Sequence, residues 1–136
     1  MTRRRTLAHR YVEYVPKELD EGVLYVSKRF HTASHLCCCG CGSRVVTPLN
    51  PAKWSLTDHG ETVSLSPSVG LGTFPCRSHY WIECSAVEWC PEMTPAQTQR
   101  AQRCDERASR LHAGERAEGR WRWWTRLLSW LGLARE

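Results

Sequence analysis

Four thiols fall within five residues in Cys37-Cys38-Cys39-Gly40-Cys41, and Gly42 follows. Cys76-Arg77-Ser78-His79 adds a thiol and an imidazole three residues apart. Thiolates and imidazoles are the ligands zinc prefers, and structural zinc takes four of them. Glycines beside the thiols let the backbone turn sharply so that sulfurs converge. Cys38-x-x-Cys41 has a knuckle spacing, and Cys37-x-Cys39-x-Cys41 is the alternative. Four-coordinate zinc then needs ligands from elsewhere, and Cys76-x-x-His79 supplies such a pair. The competing reading is ordinary packing, since a free cysteine behaves as a small hydrophobe. A thioredoxin-like redox pair is disfavoured, because no βαβ pattern surrounds the cluster. Cys84, Cys90 and Cys104 stand alone and read as packing residues.

A second set of residues has the types a hydrolase needs. Ser68 sits in Pro67-Ser68-Val69-Gly70, a constrained segment with glycine where the backbone approaches something closely. His79 follows eleven residues later and is a candidate base for it. His79 cannot serve both metal and serine: four cysteine ligands leave it free, three claim it. Asp58, Glu61 and His35 are candidates for a third member. The plain alternative is a turn in which the hydroxyl caps a backbone amide, and the residues alone favour it. A zinc hydrolase with an open coordination position ranks lower, because thiolate-rich sites are mostly structural.

The elements that must position these groups are mainly strands. Tyr11–Val15, Gly22–Ser27, Arg44–Leu49, Glu61–Ser66, His79–Cys84 and Ala86–Trp89 have strand patterns, separated by Gly, Pro, Asn and Asp. Thr57–Gly60 reads as a turn and Pro67–Pro75 as a loop. Tyr11, Tyr14, Tyr25, Trp54, Trp81 and Trp89 read as core. After Pro91 the pattern changes. Thr94, Pro95 and Gln97 form a helix start with a capping box, and the helix runs to about His112 before Gly114 and Gly119 weaken it. Residues 1–92 are thus expected to form a small, mainly β zinc-binding domain, and residues 93–136 a helical, Trp/Arg-rich extension, α+β overall. In the extension Trp121, Trp124, Leu128 and Leu131 make one apolar face with Leu127 beside it. That face suits a membrane surface, a protein groove or the chain's own sheet.

The 136-residue chain carries eight cysteines and a net charge of +5. The N-terminus lacks an apolar signal segment, and no run of about 18 apolar residues exists to span a bilayer. A cytoplasmic protein is expected, in which clustered cysteines point to metal rather than disulfides. The arginines at both ends permit contact with anions, but a nucleic-acid role is disfavoured, because the aromatics cluster on one helical face.

Several segments resemble a bacterial family known as domain of unknown function 6527. They are His35–Gly42, Val45–Leu49, Trp54–Thr57, Thr62–Gly70 and Phe74–Ile82, in order over roughly residues 8 to 90. The family motif Cys-x-Cys-Gly-Cys-Gly matches Cys37, Cys39 and Cys41 and leaves Cys38 at a variable position, which favours the first three with Cys76 as Zn2+ ligands. The resemblance implies a place in a bacterial ubiquitin-like pathway, with antiphage defence as one setting and with a ubiquitin-like protein and its activating and conjugating enzymes as partners. It implies a peptidase or deconjugase, for which the chain's own residues offer Ser68 as nucleophile and His79 as base. The alternative is a non-catalytic zinc adaptor that recognises the modifier or its conjugating enzyme.

Overall fold

A computed structural model describes residues 2–50 and 52–130, with the side chains of the C-terminal helix described through Leu111 and at Ala113. Eight strands form two four-stranded sheets. The first contains β1 (Ala8–Tyr11), β2 (Val23–Ser27), β3 (Thr32–Leu36) and β4 (Arg44–Pro48) in sequence order. The second contains β5 (Ser55–Asp58), β6 (Val63–Gly70), β7 (His79–Glu83) and β8 (Ala86–Trp89), also in order. A single long helix, α1 (Pro95–Trp130), follows. The mainly β architecture with one C-terminal helix and a thiol cluster is the one expected from the sequence.

Burial alternates along β4 and β7, as strand geometry requires of a strand with one face in the core, whereas β2 and β3 bury consecutive residues. Leu65, Val69, Tyr80, Ile82 and Val87 of the second sheet form one core cluster with Leu7, Cys37, Cys38 and Val45. Leu24, Val26, Ala33 and Val63 form a second cluster, with Leu49 and Leu56 packed against it. Each such aliphatic side chain gains about 1.5–3 kcal/mol from burial. The N-terminal segment ties the sheets together. The Leu7 amide donates to the Ser85 carbonyl at 2.9 Å, and the Val87 amide donates to the Arg5 carbonyl at 2.7 Å. The chain then moves to the other sheet, where β1 pairs parallel with β2.

That handover explains one displaced expectation. The first strand is Ala8–Tyr11, rather than Tyr11–Val15, because its limits follow from pairing and not from periodicity. Tyr14 is 62% exposed, and Tyr11 and Trp81 are also exposed, so these three are surface residues rather than core. Two strands carried no hydrophobic signal. Ala33, Ser34 and His35 are all buried in β3, an inner strand built of small and polar residues. β5 occupies part of the expected Thr57–Gly60 turn. The turn itself lies two residues later, where the His59 amide donates to the Thr62 carbonyl at 2.9 Å.

The β7–β8 turn is Cys84-Ser85, with Glu83 paired to Ala86. Both turn residues have positive φ, 46° and 62°, as a two-residue hairpin of primed type demands. Ser85 and Val63 hold this glycine-free turn: the Ser85 amide donates to the Val63 carbonyl at 2.7 Å, and the Val63 amide donates to Ser85 Oγ at 3.1 Å. Cys84 is therefore exposed, as is Cys104 on α1; neither is a packing residue.

The helix start matches its sequence signature. The Thr94 amide donates to Gln97 Oε1 at 2.8 Å, and the Gln97 amide donates to Thr94 Oγ1 at 3.3 Å, a reciprocal capping box. The helix continues through Gly114 and Gly119 to Trp130. The apolar face expected around Trp121, Trp124, Leu128 and Leu131 lies outside the residues whose side chains are described. No described helix is long and apolar enough to cross a membrane.

Candidate active site and metal centre

Ser68 and His79 lie on the outer face of the second sheet, where an irregular ladder brings them together. β6 pairs with β7 at Leu65–Ile82 and again at Val69–Tyr80. Four residue steps on β6 thus match two on β7, so β6 carries extra residues between Leu65 and Val69. A bulge of this kind re-aims a side chain and is common beside active sites. It contains Ser66, the cis-linked Pro67, and Ser68. Beyond it Gly70 pairs with His79, which places Ser68 diagonal to the imidazole on the same face. His79 Nε2 and Ser68 Oγ are 2.9 Å apart.

The other ring nitrogen faces a backbone group. His79 Nδ1 lies 3.2 Å from the Pro91 carbonyl oxygen. A carbonyl only accepts, so this contact places the proton on Nδ1. Nε2 then presents a lone pair to the Ser68 hydroxyl. The expected carboxylate or imidazole third members are engaged elsewhere or stand apart. Asp58 accepts from the Tyr11 hydroxyl at 2.5 Å, which holds its carboxyl below the ordinary range and pushes Tyr11 up to about 12. His35 Nε2 contacts the Tyr80 hydroxyl at 2.8 Å inside the core. Glu61 is exposed within the hairpin turn between β5 and β6.

The segment after β8 wraps over this face. A Cβ placed on Gly70 would lie 2.4 Å from Met93 Sδ and 3.9 Å from His79 Cδ2. Glycine is therefore required at Gly70 for Met93 to lie beside the imidazole. The Arg77 guanidinium donates to the Met93 carbonyl at 2.5 Å, fastening the same segment. Neither Pro91 nor Met93 was readable as a site residue, because a backbone carbonyl and a thioether carry no motif. The close approach at Gly70 was readable.

Cys37, Cys39, Cys41 and Cys76 converge so that all four Sγ atoms lie within 4.8 Å of one another. Cys37 Sγ is 3.4 Å from Cys39 Sγ and 3.9 Å from Cys76 Sγ. Four sulfurs on a zinc at about 2.3 Å would stand about 3.8 Å apart, so the cluster could hold a metal ion of that kind. The loop is shaped for this. The Cys37 amide donates to the Ser43 carbonyl at 2.8 Å, and the Gly40 amide to the Cys37 carbonyl at 3.1 Å. Gly40 and Gly42 have φ of 83° and 76°, the left-handed region that glycine tolerates. Burial pushes the Cys37 thiol up. Burial also acts to raise Cys41, but the Ser43 hydroxyl and amide and the neighbouring thiols outweigh it and bring Cys41 down to about 6.

Cys38 is outside the cluster. It is fully buried, and that burial raises its thiol to about 11 despite a contact with Tyr80. His79 is also outside the four-sulfur group and sits on Ser68 instead. Only Arg77 and Ser78 separate Cys76 from His79, so one short loop serves both centres.

A family model described as bacterial ubiquitination-like system serine protease (BubE) matches residues 11–90. No curated protein and no solved structure matches the chain. The matched region runs from the end of β1 through β8 and contains the four converging cysteines, Ser68 and His79. The chain belongs to the bacterial ubiquitination-like system serine protease family.

Proposed function

We propose that this protein is a serine peptidase that hydrolyses the peptide or isopeptide bond at the C-terminus of a ubiquitin-like protein. The observation that carries the proposal is the 2.9 Å contact between Ser68 Oγ and His79 Nε2, with the opposite ring nitrogen on the Pro91 carbonyl. Ser68 Oγ attacks the scissile carbonyl carbon while His79 Nε2 takes the hydroxyl proton. The tetrahedral intermediate collapses as the carbon–nitrogen bond breaks, and His79 returns the proton to the leaving amine. A water then gives a proton to His79 and attacks the acyl carbon. The ester bond to Ser68 breaks, and the proton returns to Oγ. The Pro91 carbonyl orients the ring and accepts a hydrogen bond from the imidazolium. It carries no full charge, so it supports that cation less than a carboxylate does.

Cys37, Cys39, Cys41 and Cys76 would hold a zinc ion, which would fix the Cys76–His79 loop in register and take no part in proton transfer. The partners in this reading are the ubiquitin-like protein and the enzymes that activate and conjugate it, and the setting is the bacterial cytoplasm.

The test is cleavage of a ubiquitin-like protein from a bacterial ubiquitination-like system, extended at its C-terminus by a reporter. Wild-type protein should release the reporter at the modifier's C-terminus, and Ser68→Ala should release none. Full activity in Ser68→Ala, or none in a folded, metal-loaded wild type, would overturn the reading.

A further inference from the structure

We infer that the substrate chain binds as an added β-strand on the open edge of β6, hydrogen-bonded to the backbone of Gly70. The site rests on the serine-peptidase reading and specifies how the scissile segment is held. β5 pairs with β6 only from Val63 to Ser66, so the edge of β6 beyond Ser66 has no strand beside it among the described residues. The direction of the backbone groups there follows from neighbouring bonds. The Cys90 amide donates to the His79 carbonyl at 2.9 Å, so the polar groups of His79 face β8. The Leu71 amide donates to the Ser78 carbonyl at 2.8 Å, so Leu71 faces β7. The Gly70–His79 pair between them is consequently a non-hydrogen-bonded pair of the antiparallel ladder. The amide and carbonyl of Gly70 must therefore point away from β7, toward the unoccupied edge.

Gly70 is exposed, and Ser68 precedes it by two residues on the same face. An extended chain laid against this edge would stand about 4.8 Å from β6. Its residue opposite Gly70 would exchange two backbone hydrogen bonds with it, and the peptide two residues along would come beside Ser68. An edge with unpaired amide and carbonyl groups is the standard acceptor for such strand addition.

Met93 sets the size limit. Its thioether fills the space above Gly70 on the outer face. The substrate side chain opposite Gly70 would project to that same face, so glycine or alanine is admitted there and a branched or long side chain is excluded. The occupant is thus an extended polypeptide with a small residue two positions from the bond that is cut.

The experiment uses the full chain and semisynthetic ubiquitin-like fusions whose backbone amides near the cleavage site are N-methylated one at a time. Strand addition predicts a loss in kcat/KM of about tenfold at the amide facing Gly70, the size of one lost hydrogen bond. Methylation of the amides on either side, which point away from β6, should have little effect. In a second series the residue facing Gly70 is changed from glycine to valine. Wild-type enzyme should discriminate against valine, and Met93→Ala should remove most of that discrimination while still cleaving the glycine substrate. Cleavage by a Ser68-dependent enzyme with no position-dependent methylation effect would overturn the edge site and leave the peptidase reading standing. Failure to cleave any fusion would overturn both.

Discussion

At the residue scale, the proposed chemistry turns on where protons sit. In the serine-peptidase reading His79 and Ser68 act as a unit, so Ser68→Ala, His79→Ala and the double variant should lose activity to the same floor rather than additively. Cleavage rates of the three variants check this. Because His79 lies outside the four-sulfur group, His79→Ala should keep the metal content of the wild type, measured by elemental analysis. His35 makes a different prediction. Its burial lowers its pKa from the ordinary 6.5 to about 4, and Nδ1 has no partner in the core. The unfolded chain therefore binds more protons between about pH 4 and 6.5, so stability falls as pH drops through that window. The full loss would be about 3 kcal/mol. Chemical denaturation at pH 7 and pH 5 should show it, and His35→Gln should flatten the difference. These residues differed in how far the sequence disclosed them. The clustered cysteines are legible by type, but spacing alone also offers Cys38 with Cys41, and it is the family motif that singles out Cys37, Cys39 and Cys41 with Cys76; the Pro-Ser-Val-Gly setting of Ser68 reads first as a plain turn. The Pro91 carbonyl could not be read, because any residue offers a carbonyl and only the fold decides where it points.

At the element scale, the bulge in β6 and the cysteine loop do the positioning. The bulge appears in the sequence only as a proline where a strand pattern stops, so Pro67–Pro75 reads as a loop although β6 continues to Gly70. Strands β3 and β5 were unreadable for a related reason: β3 buries Ser34 and His35, and β5 is short, with Leu56 its one apolar residue. The capping box of α1, by contrast, is local chemistry and was legible in full. Zinc bound by the cysteine loop should contribute a large share of stability, since structural zinc supplies about 10–16 kcal/mol of apparent binding energy in finger peptides. Cys39→Ser or Cys76→Ser should release the metal and lower the melting temperature steeply. Unchanged melting in either variant, by calorimetry, would remove zinc from the stability of the fold. Thr94→Ala removes one capping bond and should cost about 1 kcal/mol of helix stability at most.

At the scale of the whole molecule, two sheets contribute to two core clusters, and Ser68 and His79 stand on the outer face of the second sheet, one short loop from the four clustered cysteines. The described side chains of α1 beyond Thr98 are mostly exposed. The measurement that bears most directly on the central claim is covalent labelling of the folded, metal-loaded protein with a fluorophosphonate, mapped by peptide mass spectrometry. The account predicts one adduct, on Ser68, formed rapidly in the wild type and only very slowly in His79→Ala at equal metal content. An adduct on another residue, or equal labelling of Ser68 in the His79 variant, would contradict it.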